Sequence, residues 1–220
     1  PIYPNAKLLC LENTHNAAGG ICLSPEKTQA LADAANARGL KVHIDGARIF
    51  NAAVALGVPA ADLVRPVDSI TFCLTKGLAC PVGSVLCGSR DFIETARHWR
   101  QAAGGGMRQA GIFAAAGVVA LDSMVERLAE DHATAKRLAG HLAEAGLAID
   151  PDAVQTNMVF VELPEGGPDP VRFVADLAGA GVRINPAKGR RLRFVTHYGI
   201  EAEDIDLAGR QIAEICKQAA

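Results

Sequence analysis

The sequence predicts an α/β protein with a mostly parallel sheet, followed by a smaller α+β domain. In the first half, short runs of Val, Ile and Leu alternate with Ala-rich stretches whose apolar residues recur at helical spacing. Strands that are separated by helices pair in parallel, and the helices cover both faces of the sheet. A long amphipathic helix then opens a segment of mixed helices and short strands. We therefore assign residues 1–123 to a large domain and residues 124–220 to a small one.

Local start and stop signals define the elements of the large domain. Ser24 is a typical helix-capping residue, and Pro25 follows it at the first helical position, where a missing N–H costs nothing. Gly57 is the stop signal of a second helix. The predicted strands cover residues 7–12, 41–45, 69–74 and 84–87, and the predicted helices cover residues 25–39, 47–56, 91–103 and 108–122.

Helical periodicity dominates the small domain. Its first helix carries an apolar stripe that ends before Gly146, and its last helix carries a second stripe. Between them we predict strands over residues 158–162, 182–185 and 193–196 and a helix over residues 171–180. The two stripes are formed by Leu128, Ala135, Leu138 and Leu142, and by Ile205, Ala208, Ile212 and Ile215.

Composition excludes several classes of partner. The chain has 220 residues and a formal net charge of −2, and its charged residues are well mixed, so no basic surface for nucleic acid or an anionic membrane is expected. Its apolar runs are shorter than the roughly 20 residues that span a bilayer. None of the six cysteines forms a C-x-x-C pair. We therefore expect buried, reduced thiols in a cytoplasmic protein.

The most informative residue is Lys76, which follows a predicted strand in the segment Thr-Lys-Gly. Asp45 ends the neighbouring predicted strand, and ligands of such sheets bind at the carboxyl ends of the strands. A lysine and an aspartate in these places suit pyridoxal 5′-phosphate (PLP): the amine forms an imine with the aldehyde, and the carboxylate keeps the pyridine nitrogen protonated. Thr75 and Thr71 offer hydroxyls for the phosphate.

Each of these residues also has an ordinary interpretation. Most lysines are solvated, so Lys76 alone would be weak evidence. Asp45 is placed to cap the helix that is predicted to begin near residue 47. Arg48 and Arg193 are candidates for binding a substrate carboxylate through two parallel hydrogen bonds, although most arginines lie at the surface.

Two histidines and a glycine run complete the candidate set. His15, in the loop after the first strand, would face the cofactor or a substrate hydroxyl and handle a proton, with His197 as the second choice. His43 and Asp45 share one strand face, but we find no third ligand and assign no metal site. The glycines before Arg108 are typical of an anion-binding helix start, and equally of a hinge.

Taken in order, these segments closely resemble the low-specificity L-threonine aldolases, which are PLP-dependent enzymes of fold type I. The first half then corresponds to part of a PLP-binding large domain. The resemblance implies cleavage of β-hydroxy-α-amino acids, such as L-threonine and L-allo-threonine, to glycine and an aldehyde. The segments that carry it are Leu11–Asn16, His43–Asn51, Cys73–Ser84, Gly104–Gln109 and Arg193–His197.

The resemblance also implies a role for each site residue. Lys76 is the imine lysine and His15 lies near the substrate hydroxyl, while Asp45 contacts the pyridine nitrogen. Thr75 and Arg108 bind the cofactor, with Arg108 reaching its phosphate. Arg48 and Arg193 bind the substrate carboxylate. The family forms dimers or tetramers with shared active sites.

The sequence departs from the family at its N-terminal side, where the family's own stretch of the PLP site is missing. Two alternatives therefore stay open. One is a different PLP-dependent reaction on the same scaffold, a β-eliminating lyase or a racemase. The other is a non-catalytic fragment that needs a companion chain.

Overall fold

The computed structural model describes residues 5–218, which form two compact units. The first unit contains residues 5–14 and Cys22–Arg127, and the second contains His15–Ile21 together with residues 128–218. The division along the chain therefore follows Arg127, whereas the sequence analysis places it after residue 123. The segment His15–Ile21 belongs with the second unit, which the sequence pattern did not indicate.

The first unit is built on one four-stranded sheet. Its strands are β1 (Leu8–Glu12), β2 (Lys41–Asp45), β3 (Ser69–Cys73) and β4 (Ser84–Gly88), in that order across the sheet. β1, β2 and β3 run parallel, and β4 pairs antiparallel with β3 at the edge. The predicted α/β class with a mostly parallel sheet is therefore confirmed.

The helices of the first unit begin and end at residues that favour such positions. The Ser24 hydroxyl accepts a hydrogen bond from the Lys27 N–H (3.3 Å), and Gly57 ends the second helix in the left-handed conformation (φ 65°). One short helix, α3, was not predicted, because five residues are too few to show a helical period. The helices are α1 (Pro25–Asn36), α2 (Ile49–Leu56), α3 (Ala60–Val64), α4 (Arg90–Ala102) and α5 (Gly111–Ser123).

The parallel register brings the carboxyl ends of β1, β2 and β3 to the same end of the sheet, which we call the sheet edge. Glu12 lies opposite Asp45, and Asp45 lies opposite Thr71, so β1 and β2 end at the same level, and β3 continues for two more residues to Cys73. Buried apolar residues beneath this edge, among them Ile44 and Ile70, hold the strands against the helices. Polar residues that follow these strands therefore share one surface.

Gly46 lets β2 turn at this edge. Its N–H donates to the Thr71 carbonyl over 2.7 Å, which brings the two backbones close together. A Cβ atom at residue 46 would lie 2.5 Å from the Ile70 Cδ1 atom and 3.0 Å from the Thr71 carbonyl oxygen. Only glycine leaves room for this contact, and the contact sets where the Asp45 side chain leaves the sheet.

The second unit packs three helices around a two-stranded antiparallel sheet. Its core contains Phe173, Leu177 and Ile212, which are fully or almost fully buried. The apolar stripe predicted for the first of these helices is buried throughout. The elements are α6 (Leu128–Glu144), a 3₁₀ turn (Pro151–Ala153), β5 (Met158–Glu162), α7 (Pro170–Gly179), β6 (Arg191–Val195) and α8 (Ala202–Gln218).

The strand predicted over residues 182–185 is not formed. Val182 and Ile184 pack against the core, which explains the alternating pattern, but this segment has no ladder partner among the described residues. Pro186 lacks an N–H and restricts the residue before it, so it disfavours pairing here. The chain instead makes a two-residue turn between Lys188 and Arg191.

The segment His15–Ile21 is held on the second unit by its own hydrogen bonds and by Thr156, which precedes β5. The His15 N–H donates to the Ile21 carbonyl (3.0 Å), which closes the segment into a loop. The Thr156 hydroxyl donates to the Gly20 carbonyl (2.8 Å). Gly20 has φ 75°, and a Cβ there would lie 2.5 Å from the Thr156 hydroxyl oxygen. Glycine is therefore required at residue 20 for this docking.

A charged cluster joins α6 to α8. The Arg137 guanidinium donates to both carboxylate oxygens of Asp206 (2.6 and 2.7 Å), and the His141 Nε2 atom lies 2.9 Å from Asp206 Oδ1. The hydrogen bonds from Arg137 and then from His141 hold the pKa of Asp206 well below its ordinary range.

The burial of the cysteines can be compared with the prediction of buried, reduced thiols. All six cysteines are free, but only Cys80 is buried, and Cys10 and Cys87 are exposed, so the prediction of buried thiols is wrong for most of them. Burial raises the pKa of the half-buried Cys22 thiol to about 11. Within residues 5–218, no helix has the length and apolar character needed to cross a membrane.

We expect Gly46→Ala to lower the free energy of unfolding by about 1–3 kcal/mol, because the added methyl group overpacks the contact with Ile70 and Thr71. Gly140→Ala is the control, because residue 140 lies in α6 with open space around it. Alanine there should raise the free energy of unfolding by about 0.5–1 kcal/mol. Urea titration measures both. Equal effects of the two substitutions would contradict the close approach at Gly46.

The lowered pKa of Asp206 predicts a pH-dependent contribution to stability. Its ion pair stabilises the fold above the ordinary carboxyl pKa of about 4 and is lost as pH falls below that value toward the folded-state pKa. Asp206→Asn should therefore lower the unfolding midpoint at pH 7 and have a shrinking effect below about pH 4. Glu214→Gln, an exposed change on the same helix, is the control. A difference between wild type and Asp206→Asn that stays constant with pH would argue against the ion pair.

Candidate functional site

Lys76 lies on a tightly hydrogen-bonded turn that follows β3. The Leu74 N–H donates to the Gly83 carbonyl (3.0 Å), the Cys80 N–H donates to the Leu74 carbonyl (2.9 Å), and the Ala79 N–H donates to the Lys76 carbonyl (2.9 Å). Leu74 and Leu78 are buried and anchor the turn, with Ala79 in the left-handed conformation (φ 56°). The backbone is thus constrained while the side chains of Thr75 and Lys76 are exposed.

The Lys76 amine contacts a neighbouring thiol. Its Nζ atom lies 3.3 Å from the Sγ atom of Cys73, the last residue of β3. Because no carboxylate of the described residues pairs with this amine, it remains available to react with an aldehyde once it loses its proton.

Asp45 shapes the turn before α2 and does not cap that helix. Its Oδ1 atom accepts a hydrogen bond from the Ala47 N–H (3.0 Å). The helix begins at Ile49 with Arg48 as its N-cap, and no side chain caps it. The capping interpretation of Asp45 is therefore wrong. The carboxylate is exposed and lies at the same sheet edge as the turn that carries Lys76.

His43 is bound by the adjacent strand. Its Nδ1 atom lies 2.8 Å from the Ser69 hydroxyl oxygen, and its Nε2 atom lies 3.4 Å from the Thr71 hydroxyl oxygen. Both ring nitrogens therefore face hydroxyls of β3. Within the described residues no cluster of three or more metal-ligating side chains occurs.

The two remaining candidates of the first unit lie at helix starts. Arg48 is half-buried at the first turn of α2. Arg108 is exposed and precedes α5 by a short turn, in which Gln109 has φ 53° and Gly104 has φ 82°. These two left-handed residues let the chain change direction between α4 and α5.

His15 has a defined tautomer in the second unit. The Ala18 N–H donates to its Nδ1 atom (3.1 Å), so the neutral ring carries its proton on Nε2, and the side chain is exposed. His197 shows the opposite arrangement, because its Nδ1 atom lies 2.9 Å from the Tyr198 carbonyl and must donate to it. The two rings therefore differ at Nδ1, which accepts from a backbone N–H in His15 and donates to a backbone carbonyl in His197.

Arg193 lies half-buried on β6 and lines a cavity of about 630 Å³. Its Nη1 atom donates to the Asn16 side-chain carbonyl over 2.9 Å. Phe160 lies opposite Arg193 in the sheet register and lines the same cavity. A neutral amide orients this guanidinium without cancelling its charge, so Arg193 can still bind a carboxylate.

The structure therefore groups the predicted residues within each unit. Lys76, Thr75 and Asp45 share the sheet edge of the first unit, and His15 and Arg193 belong to the second. Sequence reasoning did not assign Asn16, although it lies in a segment that carries the resemblance. It also missed Arg191, which alternates with Arg193 in β6 and therefore shares its sheet face.

Solved structures with this fold include threonine aldolases. A putative L-allo-threonine aldolase from Listeria monocytogenes superposes with a TM-score of 0.77 at 20% identity, covering 93% of this chain and 60% of that one. A threonine aldolase from Leishmania major gives a TM-score of 0.73 at 20% identity, covering 97% and 61%.

Curated relatives agree with the resemblance found in the sequence. The chain is 44% identical over 209 residues to low-specificity L-threonine aldolase 1 of Arabidopsis thaliana, covering 92% of this chain and 57% of that protein. It is 41% identical over 213 residues to the low specificity L-threonine aldolase of Escherichia coli K12, covering 97% and 59%. The chain thus spans less than two thirds of the length of these relatives.

The fold of the chain is the fold of these threonine aldolase structures, fold type I of the PLP-dependent enzymes. More narrowly, the family described as beta-eliminating lyase matches residues 2–165, and the chain belongs to that family. The predicted resemblance to the low-specificity L-threonine aldolases is confirmed.

Proposed function

We propose that the protein is a PLP-dependent aldolase that cleaves L-threonine, L-allo-threonine and related β-hydroxy-α-amino acids to glycine and an aldehyde. The observation that carries this proposal is the placement of an amine and a carboxylate after adjacent parallel strands. Lys76 follows β3, and Asp45 ends β2 directly opposite Thr71.

The polar side chains at this end of the sheet fit PLP. An exposed amine on a constrained turn can bind an aldehyde covalently, and an exposed carboxylate with one oxygen occupied by a backbone N–H can bind a protonated ring nitrogen. Thr75 adds an exposed hydroxyl beside Lys76, and Arg108 adds a cation suited to a phosphate. When bound, PLP withdraws the electrons released as the Cα–Cβ bond of the substrate breaks.

The remaining residues act on the substrate in this proposal. Arg193 binds the α-carboxylate through its oriented guanidinium, and Arg48 is the second candidate for this role. Holding the carboxylate fixes the rotation about Cα, and with it the bond that breaks. His15, whose Nδ1 atom is held by the Ala18 N–H, is the candidate for contact with the substrate hydroxyl.

The family description favours a second candidate, a β-eliminating reaction on the same scaffold. Its product from an amino acid with a β-leaving group is a keto acid and ammonia, whereas the aldolase gives glycine, and a racemase gives neither. Chromatography of the products separates the three. A chain that binds PLP only after a longer companion segment is added would instead support the fragment hypothesis.

The assembly and location of the protein belong to the same proposal. We infer a dimer or tetramer with shared active sites in the cytoplasm, acting on a small-molecule amino acid and on no nucleic acid or membrane. The full-length relatives named as threonine aldolases support an amino acid as the substrate. Light scattering of the purified protein tests the assembly.

Lys76→Ala should abolish covalent attachment of PLP, because among residues 5–218 no other lysine follows β3 at this end of the sheet. After addition of PLP and reduction with borohydride, mass spectrometry should find the label on Lys76 in wild type and on no residue in the variant. Lys27→Ala, an exposed lysine of α1, is the control and should keep the label. A reduced label elsewhere in wild type, or full labelling of Lys76→Ala, would overturn the assignment.

Substitutions at Arg193 and Asn16 test the carboxylate contact. Arg193→Ala should lower kcat/KM for threonine about 10- to 100-fold, as expected for losing hydrogen bonds to a charged group, while PLP binding stays unchanged. Asn16→Asp should approach the same loss because a carboxylate would neutralise the guanidinium, and Asn16→Ala should cost less. Arg172→Ala, on α7, is the control. Unchanged kinetics in Arg193→Ala would exclude this role.

A further inference from the structure

Three cations line the cavity of the second unit that contains Arg193. Besides Arg193, these are Lys188 and Arg191, and no carboxylate occurs among the lining residues that the structure describes. The cavity volume, about 630 Å³, suits a small molecule. One guanidinium is enough for the α-carboxylate of an amino acid, so two cations remain without a role in the proposed function.

Arg191 is oriented toward the same face as Arg193. The two residues are separated by one position in β6, so they project from one face of the sheet about 6.8 Å apart at their Cα atoms. The Arg191 guanidinium lies 4.1 Å from the centroid of the Phe160 ring, and Phe160 is the cross-strand partner of Arg193. This cation–π contact restricts the guanidinium, and its N–H groups can still donate to a ligand in the cavity.

Lys188 is placed beside Arg191 by the turn that connects them. The Lys188 N–H donates to the Arg191 carbonyl (3.0 Å), and the Arg191 N–H donates to the Lys188 carbonyl (3.2 Å). Gly189 within this turn has φ 62°, which permits the two-residue connection. Directly opposed residues of an antiparallel pair project to the same side, so the two cations are neighbours.

Nearby groups do not cancel these charges. Glu162 lies opposite Arg191 in the sheet register, but it is exposed, and within the described residues it makes no ion pair with Arg191. Arg190, in contrast, donates to the carbonyls of Leu163, Pro164 and Pro168 and serves the fold. Lys188 and Arg191 thus add positive potential to the cavity, and in the described part of the chain their side chains do not bind backbone carbonyls as Arg190 does.

We propose that this cavity selects amino acids whose side chain ends in a second carboxylate, an inference that rests on the proposed function. Arg193 binds the α-carboxylate, and Arg191 with Lys188 binds the distal one. The substrate class is β-hydroxy-α-amino dicarboxylic acids, of which β-hydroxyaspartate is the smallest.

The reaction of β-hydroxyaspartate balances without any other reactant. The Cα–Cβ bond of the substrate breaks, the hydroxyl loses its proton as the Cβ carbonyl forms, and Cα gains a proton. The products are glycine and glyoxylate, which together contain all atoms of the substrate.

Binding of amino acids that cannot be cleaved tests the selection directly. Isothermal titration of the purified protein should give a Kd for L-aspartate at least about 10-fold lower than for L-alanine, as expected for a charge-assisted contact. The double variant Lys188→Gln/Arg191→Gln should reduce this preference to less than about 2-fold. Arg183→Gln removes one positive charge from the preceding loop without touching this cavity and should keep the preference.

The possible results of these experiments distinguish failure of the inference from failure of the proposed aldolase function. Equal binding of both amino acids, binding of neither, or a preference that survives in the double variant overturns the inference. Tighter binding of O-phospho-L-serine than of L-aspartate also overturns it, because the distal group would then be a phosphate. Threonine cleavage without an aspartate preference contradicts the inference alone. An aspartate preference without glycine release from threonine or β-hydroxyaspartate contradicts the proposed function and the cleavage step that rests on it, while it supports binding of the distal carboxylate by Arg191 and Lys188.

Discussion

The parallel register of β1, β2 and β3 is the constraint on which the candidate site of the first unit depends. Main-chain hydrogen bonds place Glu12 beside Asp45 and Asp45 beside Thr71, so β1 and β2 end together, two residues before the end of β3. The bond from the Gly46 N–H to the Thr71 carbonyl extends this pairing one residue past β2. A register slip would move Asp45 to the other sheet face, because side chains alternate along a strand. The carboxylate thus owes its position to backbone geometry, and Gly46 is part of the site although it has no side chain.

Periodicity predicts the fold well where an element is both regular and buried. The bounds of β2 follow from the sequence because its residues alternate between the core and the surface, and those of β5 follow because it is a short, mostly buried apolar run. The same pattern misleads over residues 182–185, where apolar residues are buried without a neighbouring strand. Alternation reports which side chains meet the core, and it carries no information on whether backbone groups find partners. The grouping of His15–Ile21 with the second unit depends on Gly20 and Thr156, which lie 136 residues apart.

The candidate site divides in the same way between local and distant information. Lys76 and Asp45 can be found from the sequence because each directly follows a strand, and strand ends are local features. The contact between Arg193 and Asn16 joins residues 177 positions apart, so nothing in the neighbourhood of either residue indicates it. The tautomer of His15 depends on a backbone N–H three residues away, and only the turn conformation decides that this N–H reaches Nδ1. The residue types therefore suggest the chemistry of the site, whereas the tautomer of His15 and the orientation of Arg193 can be known only from the folded structure.

The arginines of the second unit show how a fold separates structural charge from available charge. Arg137 binds Asp206 through two hydrogen bonds, and this pairing joins two helices while it cancels the charge. Arg193 and Arg191 are instead oriented by a neutral amide and by an aromatic ring. Such partners restrict the side chain without supplying a negative charge, so each guanidinium retains its attraction for an anion. Like charges gathered in one cavity repel each other, and a ligand with two carboxylates relieves that repulsion at both positions. The choice of neutral partners therefore explains why this cavity, and not the Arg137 cluster, is suited to binding an anionic ligand.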